Sequence, residues 1–171
     1  MKVSELSSSE YLPFYRKYIN RAETKNLLEG LENGFDNTVS FFESIPEDKM
    51  EFKYAEEKWS IKEIIQHLID AQRVFSYRAL RFARKNKSAL SGYEENDFTK
   101  ASLAHVRSKS SLVNEYKFVS SSTLLLFKSF TNDMLKSIGI ASNCNMSVRA
   151  IGFIITGHEA HHCKIIKERY L

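Results

Sequence analysis

Apolar residues recur at spacings of three and four along most of the chain. From Thr24 onward Leu27, Leu28, Leu31, Phe35, Val39 and Phe42 line one side of a helix, and Pro46 follows it. Ser60 opens a second helix. Ser60-x-x-Glu63 has the form of a capping box, and Ile61, Ile64, Ile65, Leu68, Phe75, Leu80 and Phe82 carry the apolar face to about Ala83. Arg84, Lys85 and Lys87 then suit the negative end of the helix dipole. A third helix is expected over Leu103 to Phe130, with Ser120-Ser121-Ser122 as a candidate interruption, and a fourth from the N-cap Ser147 almost to Leu171. Between them, Tyr11 to Ile19 reads as a short aromatic lead-in, Met50 to Lys58 and Gly139 to Asn145 as loops, and Ser88 to Lys100 as a long connection. No strand pattern stands out. The chain is therefore predicted to be all-α, a four-helix bundle forming one domain over residues 1–171, with residues 1–23 as its lead-in.

Composition narrows the classes. With 171 residues, 43% of them hydrophobic, the chain can bury a core without disulfides or a structural metal, so a bound metal is expected to be functional. Only two prolines and six glycines argue against a loop-rich sandwich and against long disordered tracts. No apolar run approaches the ~20 residues of a membrane span, and the first twenty residues lack the apolar stretch of a secretory signal. Cys144 and Cys163 make no disulfide framework, which predicts a reducing, cytoplasmic setting. The net charge of +4 is a weak pointer to anionic partners.

Histidine carries the chemistry. His158, His161 and His162 stand together in Gly157-His158-Glu159-Ala160-His161-His162, and His67 and His105 lie elsewhere. On a helix His158 and His162 are one turn apart on one face and can present two imidazoles to one ion; His158 and His161 could do so too. The stripe Ile151, Ile155, His158, His162, Ile166 turns the first pair inward, and His67 sits among Ile64, Leu68 and Phe75 on an inward face. Three inward imidazoles on two helices would make a three-nitrogen site in the core, suited to zinc, nickel or iron and open to a further ligand. The residues alone leave blander roles open: His67 as a core histidine bonded to a carbonyl, the pair as dipole-capping charge. The string also fits the zinc-protease pattern H-E-x-x-H, with Glu159 as general base. That match is set aside, because only nine residues follow His162, which leaves no room for the usual downstream third ligand, and no strand pattern precedes the helix.

Several pieces together resemble a known family. Lys58-Trp59-Ser60-Ile61-Lys62-Glu63 leads into His67-Leu68-Ile69-Asp70. Arg78-Ala79-Leu80-Arg81, Gly92-Tyr93-Glu94-Glu95-Asn96, Ser147-Val148-Arg149-Ala150 and the histidine cluster follow in order. From about Tyr11 to Leu171 the chain resembles the DinB-like superfamily of metal-binding four-helix bundles, which includes bacillithiol and related thiol S-transferases. The resemblance implies an up-down-down-up bundle with a long crossover between the second and third helices. It implies His67, His158 and His162 as the metal ligands, His161 as a non-ligand neighbour, and a homodimer.

Other residues stand near this site. Glu63 is either the capping-box glutamate or a carboxylate orienting His67. Asp70 could pair with a basic residue or orient a histidine. Glu159 could act as a base on bound water or form an inter-helix ion pair. Arg78, three turns beyond His67, could hold a remote carboxylate of an extended thiol or pair with Glu94 or Glu95. Cys163 is read as a small core residue, and Trp59 as a staple at the helix start. Arg73, Arg78, Arg81, Arg84, Lys85 and Lys87 form a basic run, the best case for nucleic acid. The leading expectation is an enzyme with one divalent ion, a thiol S-transferase or hydrolase acting on a small electrophilic substrate, with a low-molecular-weight thiol as possible co-substrate. The alternatives are a non-enzymatic metal-binding stress-response module and a nucleic-acid-binding helical protein.

Overall fold

A computed structural model describes residues 1–22 and 26–171. Helices α1 (Arg16–Ile19), α2 (Leu27–Ser44), α3 (Ile61–Ala83), α4 (Glu95–Ala101), α5 (Lys109–Lys128), α6 (Asn132–Lys136) and α7 (Val148–Arg169) account for most of it. Four are long. α2 packs on α5 and α7, and α3 packs on the same two helices, closing a four-helix arrangement. None of the described helices is long and apolar enough to cross a membrane.

The helix starts follow side-chain chemistry. The Ser60 hydroxyl accepts from the Glu63 N–H while the Glu63 carboxylate accepts from the Ser60 N–H at 2.7 Å, so the capping box closes both ways. Ser147 caps α7 through the Ala150 N–H at 3.1 Å. Asn26 caps α2 through the Leu28 N–H. The helix start expected at Thr24 lies outside the described residues.

The chain is mostly helical, as expected, with three differences of detail. Ile138–Ala141 (β1) and Cys144–Ser147 (β2) pair as an antiparallel hairpin where a loop was expected, so a small sheet joins the helices. Its two-residue turn holds Ser142 and Asn143 at φ 51° and 62°, the left-handed pair that a tight hairpin needs. This hairpin also places a strand directly before α7. The third long helix begins at Lys109 rather than Leu103. Leu103 turns left-handed at φ 52°, and Ser108 supplies the N-cap. The serine triplet does not interrupt α5. Ser120 turns its hydroxyl to Gln72 Oε1 at 3.2 Å instead of competing for the helix backbone.

Buried apolar side chains form two clusters. One gathers Leu27, Leu31 and Phe35 of α2 with Phe75, Phe82, Phe127 and Ile151. The other gathers Phe42, Ile61, Ile64, Leu68, Tyr116 and Ile166. Along each long helix, buried polar residues stand between the two: Thr38 on α2, Gln72 on α3, Ser120 and Thr123 on α5, and Thr156, His158 and Glu159 on α7.

Candidate metal centre

α3 and α7 bring the three histidines together. His158 and His162, one turn apart on α7, place their Nε2 atoms 3.0 Å from each other, and His67 Nε2 of α3 stands 3.2 Å from His158 Nε2. Among the described residues this is the group of His, Cys, Asp and Glu side chains suited to an ion, with one ligand atom from each histidine and all three within 4.8 Å. Two nitrogens each ~2.1 Å from a shared ion stand roughly 3.0–3.4 Å apart, so the observed spacing fits such a site.

The electrostatics agree. Burial pushes His67 down to about 4. Burial, reinforced by the neighbouring imidazoles, holds His158 and His162 well below the usual histidine value. All three rings are therefore neutral near pH 7 and keep a lone pair for a cation. His162 still reaches the surface at one edge.

Aromatic rings hold the triad. Trp59 lies 4.7 Å from the His67 ring, between ring centroids. Tyr18 of α1 lies 5.0 Å from His158 and 5.3 Å from His161. Gly157 makes that approach possible: a Cβ there would stand 1.8 Å from the Tyr18 carbonyl oxygen. The sequence signal for Tyr18 is only a glycine preceding His158. His161 and His105 stay outside the group; His105 is exposed in a turn, where its carbonyl accepts from Lys62 Nζ.

Two cavities of about 220 Å³ each reach the triad. His67 and His158 line the first, with Tyr15, Arg78 and Tyr93. His162 lines the second, with Trp59, Lys58 and Tyr170, and the two share no lining residue.

The other candidates fall elsewhere. Glu63 serves the cap and pairs with Lys53 at 2.9 Å, touching no histidine. Asp70 accepts from Gln66 at 3.0 Å and faces Arg73, so it orients no histidine. Arg78 makes no ion pair with Glu94 or Glu95; it donates to the Ser91 carbonyl and the Ser142 hydroxyl. Glu159 lies in the core beside Gly34 and Tyr116, and neither carboxyl oxygen has a hydrogen-bond partner or an ion pair among the described residues. Burial pushes its carboxyl up to about 8, against a smaller opposing effect of the Tyr116 hydroxyl. It lines neither cavity. Cys163 is half-buried against Thr38, and burial pushes its thiol up to about 12. Cys144, expected in a loop, is in β2, its thiol donating to the Ala141 carbonyl. The basic run does not make one face: Arg78 is buried, Arg73 pairs with Glu115, and Arg81 bonds Tyr77 and Asn86.

Solved structures share this architecture. YfiT from Bacillus subtilis, a probable metal-dependent hydrolase with an unusual four-helix bundle topology, superposes with a TM-score of 0.70 at 16% identity, over 93% of this chain and 91% of that one. The mycothiol-dependent maleylpyruvate isomerase superposes with a TM-score of 0.68 at 8% identity, over 96% of this chain, which spans 62% of the isomerase's length. At these identities the likeness is one of fold. None of the curated proteins matches the chain. Residues 30–166 match the DinB superfamily, a stretch that holds all four long helices almost entire and all three convergent histidines; the chain belongs to that superfamily.

Proposed function

We propose that His67, His158 and His162 hold one divalent metal ion and that the protein is a metal-dependent enzyme joining a small electrophile to a low-molecular-weight thiol. The observation that carries this reading is the convergence of three neutral Nε2 atoms from two helices, those of buried His67 and His158 and of half-buried His162. Three histidines without a neighbouring carboxylate or thiolate leave an ion its full charge and an open position, the pattern of catalytic rather than closed sites. Zinc, nickel and iron all suit the donor set. An ion held there would supply Lewis acidity, favouring the anionic form of a thiol or water at neutral pH.

The chain's own residues do the rest. Trp59 and Tyr18 fix the rings of His67 and His158. The two separate cavities support a reaction with two small molecules, one reaching His67 and His158 and the other His162. This favours thiol transfer; water in place of the thiol would make the same site a hydrolase, the activity suggested for YfiT. The mycothiol dependence of the isomerase supports a thiol partner. We read the bundle as up-down-down-up: α2 and α7 run from the first apolar cluster to the second, while α3 and α5 run back, an order supported by residues 84–108 linking α3 to α5.

The test is metal analysis of purified protein followed by a screen of thiols against electrophiles. The reading expects one ion per chain and product formation that needs both ion and thiol. A protein that takes up none of zinc, nickel, iron or cobalt contradicts it.

A further inference from the structure

Arg78 is 3% exposed, the one arginine or lysine in the buried class among the described residues. A guanidinium is a permanent cation in proteins. Taking such a charge out of water is costly unless an anion compensates it. Half-buried Arg149 has its acid in Glu10 at 2.6 Å, and Arg107 has Glu115. Arg78 has no carboxylate partner among the described residues. Its Nη2 donates to two neutral groups, the Ser91 carbonyl at 3.2 Å and the Ser142 hydroxyl at 3.0 Å. The guanidinium carbon lies 5.7 Å from the Phe75 ring centroid, and the Tyr15 hydroxyl is a neighbour: burial raises its pKa, against a smaller opposing effect of the guanidinium. Two neutral hydrogen bonds that tie loops to a helix do not need a full charge; a glutamine could make them.

The place of this charge is informative. Arg78 lines the same cavity as His67 and His158. It lies eleven residues beyond His67 on α3, roughly 16 Å along the axis between α-carbons, and side chains on a helix lean back toward its N-terminus, here toward His67. Glu94 and Glu95 border this cavity too, both exposed, with Glu94 engaged in capping α4 through the Asn96 N–H. Two carboxylates beside the cavity repel a polyanion such as a phosphate chain but admit a molecule with a single anionic group.

We infer that the molecule entering this cavity is a monocarboxylic acid, whose carboxylate docks on Arg78 while its reacting atom faces His67 and His158. The inference rests on the proposed function for the position of the reacting atom, and it adds the chemical class of the ligand. Guanidinium and carboxylate form charge-assisted hydrogen bonds that an amide cannot match, so acid and amide separate the idea cleanly.

The experiment uses the full chain loaded with Co²⁺. A series of ω-mercaptoalkanoates of increasing length, and the matching ω-mercaptoamides, is titrated in while thiolate-to-cobalt absorption is followed. At the best length the acid should bind at least about tenfold more tightly than the amide. Arg78→Gln should remove most of that preference while leaving amide binding and cobalt content as in the wild type. Equal binding of acid and amide at every length, with the thiolate band present, overturns the Arg78 assignment and leaves the metal reading intact. So does a preference that survives in Arg78→Gln. A thiolate band absent with every thiol overturns the metal reading and this inference with it. Should Arg78→Gln fail to fold, the wild-type comparison of acid and amide decides alone.

Discussion

His67 Nε2 on α3 stands 3.2 Å from His158 Nε2 on α7, across 91 residues of chain. The contact joins two helices whose other buried residues are mainly apolar, and it lies within a polar layer between two apolar clusters. Two neutral imidazoles this close can share one proton, but a third, His162, points its Nε2 at the same place. A cation satisfies all three at once.

Each member of the triad should therefore matter alike, and its neighbours should not. His67→Ala and His162→Ala are expected to lose most of the bound ion, whereas His161→Ala and His105→Ala keep it. Elemental analysis after loading and desalting checks this. Retention in His162→Ala with loss in His161→Ala would place the ion on His158 and His161 instead.

Acid should weaken the metal-free protein. Burial lowers His67 from 6.5 to about 4 in the folded state. A depressed value means that the unfolded chain takes up the proton first, so the contribution is complete above about pH 6.5 and shrinks as the pH falls toward 4. The loss is about 3 kcal/mol for His67 alone. His158 and His162 shift in the same direction. Thermal midpoints of metal-free protein measured across this window should fall steadily; a flat profile would contradict the neutral triad.

Much of this was legible in residue order. Ser60 with Glu63, and Ser147, mark their helix starts because caps are local hydrogen bonds between neighbours. The triad could be named because His158 and His162 share a face by spacing and His67 sits in an apolar stripe. The hairpin was hidden because its strands are four residues each and its turn, Ser142-Asn143, lacks the usual glycine. The surroundings of Arg78 and Glu159 were hidden for another reason. Whether Glu94 or Glu95 reaches Arg78 depends on the path of residues 84–108, and whether Glu159 meets a cation depends on which side chains α2 and α5 present, such as Gly34 and Tyr116. Neither follows from local spacing.

Gly157 should tolerate no side chain. A Cβ would meet the Tyr18 carbonyl oxygen at 1.8 Å, so Gly157→Ala must push α1 off α7. The expected cost is about 1–3 kcal/mol, as for other overpacked sites. Metal affinity should fall as well, since Tyr18 packs on the His158 ring. Denaturant melts and calorimetric metal titration check the two effects; no change in either would contradict the close approach.

The N-terminal segment is held by charge. Arg149 grips Glu10 with two hydrogen bonds of 2.6 and 2.7 Å, both side chains largely buried. Glu10→Ala leaves the guanidinium without its acid and should cost about 3 kcal/mol. It should also expose residues 1–22, which carry the Tyr15 and Tyr18 walls of the first cavity, to limited proteolysis. Cleavage no faster than in the wild type would contradict that anchoring role.

The central claim is that the triad binds one ion, and Trp59 reports on it directly. Trp59 is the one tryptophan of the chain and lies 4.7 Å from the His67 ring. Titration of metal-free protein with Co²⁺ should quench its emission to an end point at one equivalent, and the quenching should vanish in His158→Ala, which leaves Trp59 in place. Emission unchanged by Co²⁺ in the wild type, or quenched equally in His158→Ala, would contradict the metal centre.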